Sequence, residues 1–184
     1  MQALARVLLL SQATMAMTAR VQGLKQALSS VSPDLIRAAA ARIEPHASRT
    51  PILRSDAIDA RASCSIHVKA EHLQITGSFK YRGALNAVLS LTDEEASRGV
   101  VAHSTGNHGA AVARAAEARG APCCIVVPRT TPAAKLENIA RYCDDIVQCE
   151  PSPQARAQAS VEAAERLGGA SIIHPFDDAR VIQG

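Results

Sequence analysis

The feature that most constrains this chain is a regular alternation, in its second half, of short apolar runs with longer helical patterns. Strand-like apolar runs occupy residues 99–102, 123–127, 145–149 and 171–174, and helical patterns fill residues 107–119, 132–142 and 153–167 between them. Strands that are apolar throughout are typical of a parallel sheet that is buried on both faces, with helices as right-handed crossovers. The sequence therefore predicts an α/β fold, an open parallel sheet covered by helices on both faces.

The region before this alternation carries weaker signals. The sequence Ser-Pro-Asp at residues 32–34 is typical of a helix start, and we expect this helix to reach Ile43. Residues 50–53 are predicted to be extended, and residues 65–69 to form a half-buried strand. Residues 76–78 should form a turn and a cap for the helix that follows.

Composition excludes several classes of protein. The net charge is only +3, spread along 184 residues, which argues against a nucleic-acid-binding protein. No apolar run approaches the roughly 20 residues that span a bilayer, so no membrane partner is expected. The five cysteines lack a C-x-x-C spacing, which favours reduced thiols in a cytoplasmic or other intracellular protein over disulfides or zinc.

Residues 1–31 differ in composition from the rest of the chain. No aspartate or glutamate precedes Asp34, while Arg6, Arg20 and Lys25 punctuate a stretch rich in alanine, serine, leucine and methionine. This composition is typical of a basic amphipathic peptide that directs a protein to the mitochondrion or another organelle. A disordered start is the alternative, and the sequence leaves the two open.

A turn with chemical meaning is the run His-Ser-Thr-Gly-Asn-His-Gly at residues 103–109, which leads from the first apolar strand into a helix. Ligands of open α/β sheets lie beyond the carboxyl ends of the strands, where this turn falls. Its backbone N–H groups suit an anion, either a carboxylate or a phosphate. A structural interpretation is equally open, in which glycine permits the bend and Asn107 caps the helix. The run is not G-x-G-x-x-G, which disfavours a nicotinamide-dependent oxidoreductase.

Lys80 follows Phe79 at the predicted start of a helix. A lysine at a helix start is usually solvated, so its position alone assigns no role. An amine in a partly apolar pocket loses its proton more easily, and Schiff-base chemistry with a carbonyl compound requires that loss. Lys80 is therefore a candidate nucleophile.

Several short motifs resemble one family of enzymes. They are Thr-Pro at residues 50–51, Lys-Ala-Glu at 69–71, Thr-Gly-Ser-Phe-Lys at 76–80, Arg-Gly-Ala-Leu-Asn at 82–86, the run at 103–109, Ile-Val-Val-Pro at 125–128 and His-Pro at 174–175. Together they resemble the serine racemase and threonine (serine) dehydratase family, which depends on pyridoxal 5′-phosphate (PLP) and has fold type II, like the tryptophan synthase β chain. The resemblance extends over residues 32–184.

The resemblance implies how the cofactor is bound. Lys80 carries PLP as a Schiff base and moves the proton on the substrate Cα. Phe79 packs near the pyridine ring, and Asn107 hydrogen-bonds the ring hydroxyl.

The resemblance also implies a site for a small amino-acid substrate such as serine or threonine. Ser104, Asn107 and His108 lie around the substrate carboxylate. Arg156 matches a family arginine near the substrate entrance, with a solvated helix charge as the alternative. His103 is expected to be structural, and the spacing of the two histidines matches no zinc motif.

Two reactions can follow the loss of the Cα proton. Reprotonation on the opposite face interconverts L- and D-serine, whereas loss of the β-hydroxyl group gives a 2-oxo acid and ammonia. The resemblance makes Thr105 the acid–base group on the face away from Lys80, where the racemases have serine and many dehydratases have alanine. Threonine keeps the hydroxyl group, but its β-branch restricts the rotamer. The sequence therefore predicts a racemase or ammonia-lyase, with a threonine ammonia-lyase without racemase activity as an alternative.

The resemblance further implies a division into domains. Residues 32–91 belong to the larger PLP domain, residues 92–178 form a small α/β domain, and residues 179–184 begin the return to the larger domain. In the family, the glycine-rich loop for the PLP phosphate and a divalent-cation site lie further along, so no metal site is expected in this chain. A homodimer is expected for the full-length family. The alternative is a catalytically inactive fragment that pairs with a full-length subunit.

Overall fold

The computed structural model describes residues 31–184. In chain order its elements are α1 (Pro33–Ile43), β1 (Ile52–Leu53), α2 (Asp56–Ala62), β2 (Val68–Lys69), a 3₁₀ turn (Glu71–Leu73), α3 (Lys80–Leu89), α4 (Asp93–Arg98), β3 (Val100–His103), α5 (Asn107–Arg119), β4 (Cys123–Pro128), α6 (Ala133–Ala140), β5 (Ile146–Cys149), α7 (Pro153–Arg166), β6 (Ser171–Ile172) and α8 (Ala179–Gln183).

The central sheet has four parallel strands in the order β5-β4-β3-β6. His103 lies opposite Val126, and Pro128 lies opposite Cys149, so the carboxyl ends of β3, β4 and β5 meet along one edge. β6 pairs with the other side of β3, and β1 and β2 form a separate antiparallel pair. The predicted open parallel sheet is confirmed.

Helices cover both faces of this sheet, and successive strand residues point to opposite faces. Ala102 and Ile125 belong to a core with residues of α3 and α5, whereas Val101 and Val126 belong to a second core with residues of α7. All four side chains are fully buried. The predicted cover of helices on both faces is therefore confirmed.

α5 leads away from the candidate anion-binding turn and begins and ends where the sequence predicts. Gly120 ends it with a φ of 70°, a left-handed conformation that glycine adopts without a steric penalty. Its buried alanines, among them Ala111 and Ala115, have small side chains, so α3 packs directly against it. The two helices that carry Lys80 and Asn107 are thereby fixed relative to each other.

α8 is fastened to α3 by a buried asparagine. Asn86 is fully buried, its side-chain oxygen accepts from Arg42 Nη1 at 2.6 Å, and its Nδ2 donates to the carbonyl oxygen of Arg180 at 2.7 Å. One side chain thus links α1, α3 and α8 within about two turns of Lys80.

The region before β3 departs most from the expectations. The 3₁₀ turn, α2 and α4 were not predicted, although Thr92 and Glu95 form a capping box at the start of α4 that the sequence pattern could have indicated. Of the half-buried strand predicted at residues 65–69, only Val68 and Lys69 form a strand, because β1 offers a two-residue partner. The predicted burial is wrong, since both residues are exposed.

The predicted targeting segment lies almost wholly outside the described residues. Across residues 31–184, none of the helices combines the length and apolar character that crossing a bilayer requires. The predicted domain boundaries at residues 91 and 178 stay predictions.

Candidate active site

Lys80 is the first residue of α3, and its half-buried amine faces the segment that follows β6. Its Nζ donates to the carbonyl oxygen of Pro175 at 2.7 Å and lies 5.3 Å from the centre of the exposed Phe79 ring. The predicted cap is wrong, since Phe79 occupies the cap position, no side chain caps α3, and the buried Ser78 Oγ has no hydrogen-bond partner among residues 31–184. Pro175 accepts one N–H of the Lys80 amine, which leaves the rest of the amine for a ligand.

The turn at the carboxyl end of β3 is shaped by a serine. Ser104 N–H donates to the carbonyl oxygen of Val126 at 3.1 Å, and Ser104 Oγ accepts from Gly106 N–H at 3.2 Å. Gly106 is the cap residue of α5 and no side chain caps this helix, so the structural interpretation of Asn107 as a cap is wrong. Asn107 is instead the first helical residue and is exposed. The first N–H groups of α5 lack intrahelical acceptors and therefore suit an anion.

The turn is also tightly packed. A Cβ atom at Gly109 would lie 2.6 Å from the carbonyl oxygen of Ser104, which is closer than non-bonded atoms approach. Only glycine therefore permits this path of the chain. Thr105, the predicted acid–base group, lies in the same turn and is half-buried.

His108 is buried beneath the turn as a neutral imidazole. Its Nε2 lies 3.0 Å from the carbonyl oxygen of Ile173, and its buried Nδ1 has no hydrogen-bond partner among residues 31–184. Burial, the largest cause, and the charge of Lys80 lower the pKa of His108 to about 4, against the opposing effect of the bond to Ile173. Because a carbonyl oxygen only accepts, the proton of the neutral ring is on Nε2 and Nδ1 is an acceptor.

The segment after β6 joins Lys80 and His108, a contact that the sequence analysis did not predict. The predicted strand at residues 171–174 is shorter in the structure and ends at Ile172. Ile173 accepts from His108, and two residues later Pro175 accepts from Lys80. Between them, the His174 ring packs edge-on against the ring of His103, with 5.7 Å between the ring centres. The apolar run at residues 171–174 and the His-Pro motif indicated this segment in the sequence, but neither carries information about its contacts.

Arg156 lies near the amino end of α7 and is half-buried. Burial first, and then the charges of His174 and Arg156, lower the pKa of His103, so the guanidinium group acts on the carboxyl end of β3. None of the carboxylates in residues 31–184 forms an ion pair with Arg156, whereas Arg129 at the end of β4 pairs with Glu150 at 3.3 Å. The role of Arg156 near the substrate entrance and its alternative as a solvated helix charge both stay predictions.

A cavity of about 340 Å³ opens beside Lys80. It is lined by Phe79, Lys80, Arg82, Gly83, Pro175, Phe176, Val181, Ile182 and Gly184. Cavities of roughly 300–1,000 Å³ are typical of small-ligand sites. The lining fits PLP, because it combines a primary amine that can react with an aldehyde and apolar and aromatic walls for a planar ring.

An ion pair fastens the start of α3. Arg82 Nε and Nη2 donate to the two carboxylate oxygens of Glu71 at 3.0 and 2.8 Å, a bidentate geometry. Glu71 also accepts from Thr50 Oγ1 at 2.5 Å. The hydrogen bond from Arg82, more than any other contact, lowers the pKa of Glu71 to about 2. This pair fixes the turn of helix that carries Lys80.

The chain is similar to known proteins in both sequence and structure. A family profile described as pyridoxal-phosphate dependent enzyme matches residues 43–184. The serine racemase of Oryza sativa subsp. indica is 45% identical over 149 residues, and the β-hydroxyaspartate dehydratase of Paracoccus denitrificans is 44% identical over 147 residues. Among solved structures, maize serine racemase superposes with a TM-score of 0.81 at 44% identity.

These matches cover most of this chain but less than half of each relative. The match to the rice protein covers 81% of this chain and 44% of that protein. The match to the Paracoccus protein covers 80% of this chain and 46% of that protein, and the match to the maize structure covers 84% of this chain and 46% of that structure. The chain therefore spans somewhat under half the length of these relatives.

Proposed function

Because the chain belongs to the pyridoxal-phosphate dependent enzyme family and has its fold type II architecture, we propose that it uses PLP to racemise serine, to eliminate water from serine or threonine, or to do both. The position of Lys80 carries this proposal. Its half-buried amine borders a cavity of about 340 Å³, and its charge acts on His108 beneath the anion-binding turn.

Three residues are proposed to bind the cofactor. Lys80 provides the amine for covalent attachment, Phe79 packs near the pyridine ring, and Asn107 hydrogen-bonds the ring hydroxyl. Asn107 is exposed and its side chain does not cap α5, so it is available for this contact. When bound, PLP supplies a conjugated system that accepts the electrons left on Cα.

Lys80 is also proposed to take the proton from the substrate Cα. The hydrogen bond to Pro175, 2.7 Å long, orients the amine without using its lone pair. Racemisation requires a second acid–base group, for which we propose Thr105 Oγ1, whereas elimination does not. Thr105→Ala should therefore reduce racemisation more than elimination, which an assay of D-serine against pyruvate from the same samples measures.

The carboxylate of the substrate is proposed to lie at the amino end of α5, with Ser104, Asn107 and His108. Because the neutral ring of His108 places its proton toward Ile173, the ring cannot donate to an anion through Nδ1. His108 is therefore expected to bind the carboxylate through its backbone N–H.

The test is the visible absorption spectrum of the purified protein with added PLP, before and after borohydride. The wild type and Lys135→Ala, which removes an exposed lysine of α6, should show a band that borohydride removes. Lys80→Ala should lack this band. A reducible band in Lys80→Ala, or no band in the wild type, would contradict the proposal.

Arg156 favours a second candidate substrate. The Paracoccus relative is named a β-hydroxyaspartate dehydratase, and 3-hydroxyaspartate differs from serine by a second carboxylate. We propose that the guanidinium group of Arg156, which forms no ion pair with a carboxylate of residues 31–184, pairs with it. Loss of a charge-assisted hydrogen bond costs about 1.5–3 kcal/mol, or roughly 10- to 100-fold in kcat/KM.

Arg156→Gln should therefore lower the ratio of kcat/KM for 3-hydroxyaspartate to that for serine by about tenfold or more. Arg141→Gln, which changes an exposed arginine at the end of α6, should leave the ratio unchanged. Equal ratios in the two variants would exclude a role for Arg156 in choosing between these substrates.

A further inference from the structure

We infer that Phe176 is a second aromatic wall for the ring of the cofactor, and that His174 is the residue that positions it. This inference rests on the proposed function, since it concerns the same cavity. It gives roles to two residues on the segment after β6, Phe176 and His174, for which neither the His-Pro motif nor the comparisons state one.

The exposure of Phe176 is the first observation. The chain has only two phenylalanines, and both line the cavity beside Lys80. Phe79 is 60% exposed and Phe176 is 67% exposed. Phenylalanine side chains are usually well buried, so two exposed rings that line one cavity beside the Lys80 amine indicate a surface that a ligand covers.

Phe176 is also fixed in place. Its ring meets the ring of His174 edge-on, with 4.6 Å between the centres and an angle of 84°. His174 Nδ1 accepts from the backbone N–H of Asp177 at 3.0 Å and, more weakly, from that of Phe176 at 3.4 Å. His174 in turn packs edge-on against His103, at 80° and 5.7 Å. Three rings therefore run from the end of β3 to the cavity, and the last of them is Phe176.

The lining identifies the chemical class of the ligand. Pro175, Val181 and Ile182 give the cavity apolar walls, and the Lys80 amine provides its nucleophile. Two phenyl rings suit a flat aromatic ring, because aromatic pairs are stabilised by offset-stacked or edge-on contact. An aromatic aldehyde combines both properties, and PLP belongs to that class. A carboxylate or phosphate alone would gain nothing from Phe176.

The contribution expected from Phe176 follows from the energy of aromatic pairs. Such a contact is worth about 0.5–1.5 kcal/mol beyond the area that it buries, which corresponds to roughly 2- to 12-fold in affinity. Phe176→Leu keeps an apolar side chain and should weaken binding by about this factor. Phe176→Ala also loses the buried area and should weaken binding further, whereas Phe176→Tyr should bind as the wild type does.

The experiment measures the dissociation constant of 4′-deoxypyridoxine 5′-phosphate by equilibrium dialysis. This analogue has the ring and the phosphate but no aldehyde, so its affinity reports the ring contact and not the bond to Lys80. The dissociation constant of PLP itself is measured in parallel by visible absorption. The variants are Phe176→Leu, Phe176→Ala, Phe176→Tyr and His174→Asn, with Ile172→Ala of β6 as the control outside the cavity lining. Circular dichroism checks that each is folded.

His174→Asn separates positioning from direct contact. An asparagine oxygen can accept from the backbone N–H groups two and three residues on, so the turn is kept while the ring is lost. We expect His174→Asn to lose less affinity than Phe176→Leu does. The double variant should bind as weakly as Phe176→Leu alone. Additive losses would mean that His174 does not act through Phe176.

The outcomes separate this inference from the proposed function. If the wild type binds PLP and every Phe176 variant binds both compounds equally well, the inference is wrong and the proposed function stands. If the wild type binds neither compound, both are wrong. If Phe176→Leu changes the oligomeric state but not the two affinities, the ring is covered by protein, and the inference is likewise overturned.

Discussion

The buried imidazole of His108 makes the stability of the fold depend on pH in a defined direction. The pKa of His108 falls from its ordinary value of 6.5 to about 4, mainly because the ring is only 3% exposed. Below pH 6.5 the unfolded chain binds a proton at this residue, while the folded protein does not until the pH approaches 4. Stability therefore decreases as the pH falls through this window and is restored as it rises.

The magnitude follows from the size of the shift. Each pKa unit corresponds to about 1.4 kcal/mol, so the free energy of unfolding should fall by about 2 kcal/mol between pH 7 and pH 5, and by about 3 kcal/mol near pH 4. His108→Gln removes the titrating group, yet its amide N–H can still donate to Ile173. Between pH 7 and pH 5 the free energy of unfolding should therefore fall by about 2 kcal/mol less in this variant than in the wild type.

The assay is urea unfolding at pH 7 and pH 5, followed by far-ultraviolet circular dichroism. His67→Gln, which changes an exposed histidine next to β2, is the matched control and should follow the wild type. Other titrating groups, such as His103, contribute equally to the loss of stability in both proteins. Their contributions therefore cancel when the loss in His108→Gln is subtracted from the loss in the wild type. If the two proteins lose equal stability between pH 7 and pH 5, the argument from burial is refuted.

Three further predictions concern the supports of the site. Gly109→Ala places a Cβ atom 2.6 Å from the carbonyl oxygen of Ser104 and should weaken PLP binding by about tenfold or more while the helix content is kept, which visible titration and circular dichroism measure. Glu71→Gln should lower the free energy of unfolding by about 2–3 kcal/mol at pH 7, because the carboxylate that Arg82 binds stabilises the fold above pH 4.5. This contribution is lost as the pH falls toward 2, so unfolding curves at pH 7 and pH 3 should show the stability of the variant approaching that of the wild type. Asn86→Leu leaves buried groups unpaired and should cost about 1–3 kcal/mol, measured by thermal unfolding.

The sheet and its helices could be predicted because their signals are local. The four strands beyond residue 99 are short apolar runs, and α5 is an alanine-rich pattern that Gly120 ends. Both patterns depend on residues close together in the chain, so periodicity and end signals were enough. Lys80 and the turn at residues 103–109 could be predicted because each belongs to a short motif.

The contacts that assemble the site could not be predicted, because they depend on strand order. β6 lies beside β3, although two other strands separate them in the sequence. That neighbour relation carries Ile173 and Pro175 to His108 and Lys80, and no local pattern encodes it. The cap positions failed for a different reason, since Ser78 and Asn107 are good caps by type but neither side chain bonds a free helix N–H here.

Two groups that the fold leaves without a partner, and one exposed ring, lie along the edge of the sheet where a ligand would bind. Arg82 and Glu71 satisfy each other behind α3, whereas Arg156 has no counter-ion and His108 Nδ1 no donor among residues 31–184. Phe176 adds an exposed ring at the same edge. Each of these features lowers the stability of the fold, and such features are expected at sites where the binding of a ligand compensates for the loss. A ligand that contacts all three must therefore carry an anionic group, a hydrogen-bond donor and a flat apolar ring, which is the combination that PLP and an amino acid present together.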